Sequence, residues 1–198
     1  MSDTTLYLIR HPHAGSLDDG PSEAFRPLSD RGEAEARDLG NYLLEIMGCQ
    51  PNAVLREASR RSQLAAQYAT GQGNIVTPIE TSEFLAHTGK SIDGVNIDVY
   101  RAMLSVDGTG LIFLSRRAIL AALREEINQL VAQEQSSSYL QLVFPTIDEV
   151  ERQPPHDASI VPTGSVTRVR ITTGGSVVVD YYGLSPKDAA RWARQNKE

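Results

Sequence analysis

The 198-residue chain is expected to be a three-layer α/β domain with a mainly parallel central sheet, helices on both faces and a pocket at the carboxyl ends of the strands. Two observations lead there. Short, almost continuously apolar runs, as strands covered on both faces require, alternate with longer segments whose apolar residues recur at helical spacing. The strongest of these runs also end abruptly in polar, mostly basic residues, where α/β sheets present side chains to ligands.

The first run, Leu6-Tyr7-Leu8-Ile9, reads as a buried strand and gives way at once to Arg10-His11-Pro12-His13. Asp30 followed by Glu33 has the form of a capping box, and Ala36, Leu39, Leu43 and Ile46 then repeat at helical spacing until Gly48 closes the helix. Ala53-Val54-Leu55 is a second strand. Ser59 to Ala69 is a helix with Leu64, Ala65, Tyr68 and Ala69 turned inward. Ile75-Val76 is taken as a third strand and Leu111-Ile112-Phe113-Leu114 as a fourth. A helix follows, with a stripe of Ile119, Leu120, Leu123, Ile127 and Leu130. Residues 134–162 lose the rhythm among serines and prolines and are expected to be an insertion or long active-site loop. Val166 to Ile171 and Val177 to Tyr181 flank Gly174-Gly175 as a hairpin, and Ser185-Pro186 with Asp188 opens a final helix. The expectation is one domain over 1–198, without internal repeats.

Composition bounds the function. Charged residues make up 22% and apolar ones 40% of the chain, which suits a globular core. A net charge of −6 gives no general attraction to nucleic acid or anionic lipid, so any anion must be bound by a local arginine cluster. The single cysteine, Cys49, has no partner for an internal disulfide and reads as a structural thiol. Thr4 to Ile9 is too short for a signal segment, and no apolar run approaches the roughly 18 residues of a membrane span. The expectation is a cytoplasmic protein with no nucleic-acid or membrane partner.

The polar residues that follow the apolar runs are Arg10, His11, His13, Arg60, Arg61, Ser115, Arg116 and Arg117. Arginines converging on a histidine at one sheet edge repel one another unless an anion sits among them, and guanidinium forks match phosphate oxygens. A neutral imidazole at such a point is able to attack phosphorus in line while the arginines hold the equatorial oxygens. Each residue has a plainer reading beside this one. His11 alone would pass for a structural histidine, His13 for a pocket-rim residue, and Arg60, Arg61, Arg116 and Arg117 for solvated charges opening helices.

Leu6 through Ala14 resembles the strand-to-loop "RHG" motif of the histidine phosphatase (phosphoglycerate-mutase-like) superfamily. Arg26-Pro27-Leu28-Ser29-Asp30-Arg31-Gly32 is similar to the "pLtxxG" turn that follows it there, and Arg61-Ser62-Gln63-Leu64-Ala65-Ala66 to its "RAxxTA" segment. The likeness covers roughly 4–69, 110–123 and 163–181, and looks most like the compact branch that acts on phosphohistidine proteins. It implies a phosphoglycerate-mutase-like fold, His11 as phosphate-accepting nucleophile, Arg10 and Arg61 as phosphate clamps, and Arg116, Ser115 and His13 as substrate-binding residues, with no metal or organic cofactor. In Leu85-Ala86-His87 the resemblance places a general acid at His87, with Glu83 as the other candidate.

The sequence departs from the pattern at two points. Pro12 stands for the motif glycine, where a cyclic residue also suits a sharp turn. In Leu114-Ser115-Arg116-Arg117, which aligns with "VSHG", Arg116 takes the place of the second catalytic histidine. Arginine keeps the charge and the anion contact but, with a pKa above about 12, cannot exchange protons near neutrality. The expected function is therefore hydrolysis of a phosphomonoester or protein phosphohistidine through a phosphohistidine on His11. The alternative is a catalytically impaired relative that binds a phosphorylated ligand or partner. His156, in the proline-rich stretch, is either an exposed loop residue or a replacement histidine. A mutase fits less well, because the chain is short and its acid segment atypical.

Overall fold

The computed structural model describes residues 3–85, 92–123, 161–173 and 177–196. β1 (Thr4–Arg10) lies inside the sheet because Leu6, Leu8 and Ile9 are fully buried and Tyr7 nearly so, which requires cover on both faces. It pairs in parallel with β4 (Thr109–Leu114) and antiparallel with β5 (Val166–Ile171). β2 (Ala53–Arg56) is parallel to β4 and to β3 (Ile79–Thr81), while β6 (Val177–Leu184) runs antiparallel to β5. The order among the described residues is β3-β2-β4-β1-β5-β6. The sheet is thus mixed and mostly parallel, as the alternating pattern predicts.

The strand period of two divides the core. Tyr7, Ile9, Leu111 and Phe113 face α1 (Asp30–Met47), α2 (Arg60–Gln72) and α5 (Pro186–Gln195). Leu6, Leu8, Ile112 and Leu114 face α3 (Ile92–Leu104) and α4 (Arg116–Ala122). Helices therefore cover both faces, and the carboxyl ends of β1, β2 and β4 open at one edge.

Several elements differ from the sequence reading. The cap of α1 is Ser29 rather than Asp30: its Oγ accepts from the Gly32 N–H at 3.1 Å, and Asp30 and Glu33 lie in the first turn, where the helix dipole favours them. β3 begins at Ile79, not at Ile75. The turn out of α2 consumes Ile75, whose N–H donates to Thr70 O at 2.9 Å, and leaves Val76 81% exposed. β6 continues to Leu184. The helix α3, unforeseen in the sequence, is anchored by Val95, Val99, Ala102 and Met103, all fully buried. Residues 124–160 and the Gly174-Gly175 turn lie outside the described residues, so the lower half of the 119–130 stripe and the expected long loop do too.

α1 and α2 cross closely. A Cβ on Gly40 would stand 2.5 Å from Ala69 O, a backbone atom unable to yield without shifting α2. Gly71, near the end of α2, has nothing within 4 Å of a Cβ. We expect Gly40→Ala to destabilise the protein by roughly 2 kcal/mol or more and Gly71→Ala to stabilise it by up to about 1 kcal/mol. Urea unfolding of the two variants beside the wild type checks both signs.

Candidate active site

β1 ends by handing its backbone to its neighbours. Arg10 N–H donates to Ser165 O at 3.1 Å and His11 N–H to Leu114 O at 3.0 Å, so His11 is held where β1, β4 and the start of β5 meet. Its ring Nδ1 lies 3.1 Å from Pro12 O. A carbonyl only accepts, so Nδ1 carries the proton and Nε2 presents its lone pair. Burial, then the neighbouring charges of Arg61, Arg10 and Arg26, push the imidazole pKa down to about 3, against the opposing pull of the Pro12 contact. His11 is a neutral base with a fixed tautomer at physiological pH.

The arginines come to the end of β1 from different elements, Arg61, Arg10 and Arg26 acting on the imidazole and Arg116 on Arg10. Arg10 is the last residue of β1, and its Nη1 donates to Val161 O. Burial, together with Arg116 and Arg61, lowers its pKa to about 10, with Glu35 acting against the shift; it stays charged at neutrality. Arg61 lies in the first turn of α2, a turn opened by Ser59, whose Oγ accepts from the Ser62 N–H. Arg116 begins α4 and Arg26 precedes α1. Arg61 Nη1 donates to Glu23 Oε1 at 2.5 Å, and Arg26 Nη2 meets the same oxygen at 3.0 Å. The Nε groups of Arg10, Arg26, Arg61 and Arg116, and Nη2 of Arg116, are buried with no hydrogen-bond partner. A buried, unsatisfied donor costs roughly 1–3 kcal/mol, and more when it is charged. Such a convergence is suited to an oxyanion.

Acidic and phenolic groups border these cations. Glu57, the first residue after β2, is buried, donates its N–H to Phe113 O at 3.1 Å and accepts from Ser115 Oγ at 2.8 Å. Burial raises its pKa, opposed by bonds from Ser115, the charge of Arg61 and a bond from Ser62. Burial also raises the pKa of Tyr182, opposed by the charges of Arg116 and Arg10 beside it.

The structure therefore brings Arg10, His11, Arg61 and Arg116 into one electrostatic cluster. Ser115 borders it, but its hydroxyl is engaged, donating to Glu57 while accepting from the Ala118 N–H as the cap of α4. His13 stands apart and exposed, its Nδ1 2.9 Å from Ser29 Oγ and its N–H donating to Glu35. Arg60 and Arg117 are exposed, as is Glu83 on a single 3-10 turn. His87 and His156 lie outside the described residues. Sequence reasoning passed over Arg26, Glu23, Glu57 and Tyr182. Arg26 was visible within the quoted "RPLSDRG" segment and Glu57 as the second of the two polar residues, Arg56 and Glu57, that follow the second apolar run, whereas nothing in the sequence marked Glu23 or Tyr182.

Among the described residues no group of His, Cys, Asp or Glu forms a metal-binding cluster, and no helix is long and apolar enough to cross a membrane. No protein-family model matches the chain, and no curated protein matches it in sequence. Solved structures do match. The protein histidine phosphatase SixA, complexed with tungstate, superposes with a TM-score of 0.59 at 17% identity, covering 93% of this chain and 99% of its own. The chain has the histidine-phosphatase fold. A mycobacterial glucosyl-3-phosphoglycerate phosphatase shares this fold with a TM-score of 0.62 at 11% identity, over 92% of this chain and 100% of its own. So does a phosphoglycerate mutase from Plasmodium falciparum, at 0.52 and 15%, over 92% of each chain. The phosphoglycerate-mutase-like architecture anticipated from the motifs is thus the one observed.

The depressed His11 pKa makes stability depend on pH. Between the ordinary imidazole value of 6.5 and about 3, the unfolded chain takes up a proton at this position that the folded chain refuses. The contribution is fully present above pH 6.5 and is lost as the pH falls. In urea unfolding, His11→Gln should lose less stability than the wild type between pH 7 and pH 4.5, by roughly 2 kcal/mol; parallel curves for the two proteins would contradict a buried neutral His11.

Proposed function

We propose that the chain is a phosphatase that hydrolyses a phosphomonoester or a protein phosphohistidine through a phosphohistidine formed on His11. The observation that carries this reading is the pairing of a free Nε2 lone pair on a neutral imidazole with unsatisfied, buried guanidinium N–H groups around it. Capture of SixA, a protein of the same fold, with the phosphate-like oxyanion tungstate supports it. So does the presence of other phosphatases among the matching folds.

In this reading the phosphoryl oxygens lie on the free N–H groups of Arg10, Arg26, Arg61 and Arg116. Nε2 attacks phosphorus opposite the leaving group, the bond from phosphorus to the leaving oxygen or nitrogen breaks, and the leaving atom takes a proton from solvent water. Water then attacks the phosphohistidine. The P–N bond breaks, inorganic phosphate departs and the imidazole regains its starting state. The guanidiniums stabilise the charge that builds on the equatorial oxygens in both steps. An imidazole nucleophile and a guanidinium clamp need no metal or organic cofactor for this chemistry. A cytoplasmic setting and a phosphorylated small molecule or phosphohistidine protein as substrate complete the proposal.

A second reading rests on Arg116. At that position a guanidinium binds an anion but exchanges no proton at neutral pH, so the site retains affinity while turnover falls. The chain is then a phosphate-binding relative with impaired catalysis.

Hydrolysis of an aryl phosphate and of a phosphohistidine protein separates the two. The phosphatase reading expects wild-type turnover that His11→Ala reduces by roughly a thousandfold or more. Tight phosphate binding without wild-type turnover, with activity appearing in Arg116→His, establishes the second reading instead.

A further inference from the structure

Glu23 sits on a single 3-10 turn, Glu23–Phe25, and places one oxygen, Oε1, against both Arg61 Nη1 and Arg26 Nη2. The three side chains form a gradient from interior to solvent: Arg61 is 9% exposed, Arg26 22% and Glu23 57%. The carboxylate therefore lies on the solvent side of the arginine pair. Each guanidinium is divided, with an Nη group committed to Glu23 and a buried Nε left without a partner. A phosphoryl group taken up on the Nε groups and on Arg10 and Arg116 does not need to displace Glu23.

In-line displacement sets the direction of the leaving group. His11 is 8% exposed and attacks from the buried side, so the leaving group must point away from it, toward solvent. Glu23, more exposed than the two arginines it bridges, is the carboxylate available at the solvent mouth of the cluster. We propose that Glu23 is a specificity-determining residue that selects by the charge of the leaving group. It admits phosphoryl groups carried on neutral or cationic groups, such as a phenol or an imidazole nitrogen, and rejects those that bring a carboxylate or a second phosphate. Like charge placed against a wrong ligand is an ordinary means of discrimination. The inference rests on the phosphatase reading of the same site and goes beyond it by naming the class of substrate excluded.

The test is calorimetric binding of inorganic phosphate and of 3-phosphoglycerate, which carries a carboxylate beyond its phosphate, to the wild type and to Glu23→Gln. Glutamine keeps the shape and an acceptor oxygen for the arginines but removes the charge. Any general loosening of Arg26 and Arg61 cancels when the two ligands are compared on one protein. The expected result is that Glu23→Gln raises the affinity for 3-phosphoglycerate relative to inorganic phosphate by roughly tenfold, and that wild-type discrimination narrows with added salt. Uptake of inorganic phosphate by both proteins with a ligand ratio unchanged within about twofold, or shifted the other way, overturns the role of Glu23 alone. If the wild type binds neither anion, the phosphate-site reading itself fails and this inference fails with it.

Discussion

Gathering the guanidinium groups of Arg10, Arg26 and Arg61 near one buried imidazole, with Arg116 beside Arg10, sets like charges against one another in a region of low dielectric, and the organisation around them follows from that cost. Arg61 and Arg116 also occupy the first turns of α2 and α4, where the helix dipole disfavours cations. The protein offsets part of this with acids. Glu23 bridges Arg61 and Arg26, Glu35 acts on Arg10, and Glu57 acts with Arg61 from the end of β2. The Nε groups they leave unengaged are the donors on which the proposed phosphoryl group would sit.

The same cluster determines the state of the histidine. Burial, added to by the charges of Arg61, Arg10 and Arg26, keeps the imidazole neutral, and the Pro12 carbonyl fixes which nitrogen is bare. Neither effect survives a mobile strand end, which explains the heavy anchoring there. β1 is covered on both faces, the His11 main chain is bonded to β4, and α1 is packed so tightly beneath the following loop that a Cβ on Gly32 would lie 1.9 Å from His13 O. Packing of the core and chemistry of the site meet in this one segment.

The sequence made the central strand, the first helix and the link from strand end to site legible, because apolar runs buried on both faces have no polar residues to blur them. It was less informative where local signals compete. β3 was misplaced because Ile75 and Val76 look like a strand but are used to leave α2. α3 escaped notice because Asp93, Gly94, Asn96 and Asp98, poor helix formers, interrupt its apolar spacing. In the site, Arg10, His11, Arg61 and Arg116 were found by their place after apolar runs. Glu23 lies on an isolated turn, and only the three-dimensional path of the 15–27 loop brings it to Arg61. His13 shared the sequence signal of its neighbours, yet its side chain is engaged with Ser29, the cap of α1.

His11 is a neutral base with its proton on Nδ1 and a bare Nε2 lone pair. Long-range nitrogen–proton correlation NMR on imidazole-labelled protein reads this state directly. His11 should show the Nδ1–H tautomer, remain unprotonated down to pH 5, and shift at Nε2 when inorganic phosphate or tungstate is added. An Nε2–H tautomer, or titration near the ordinary imidazole value of 6.5, would contradict it.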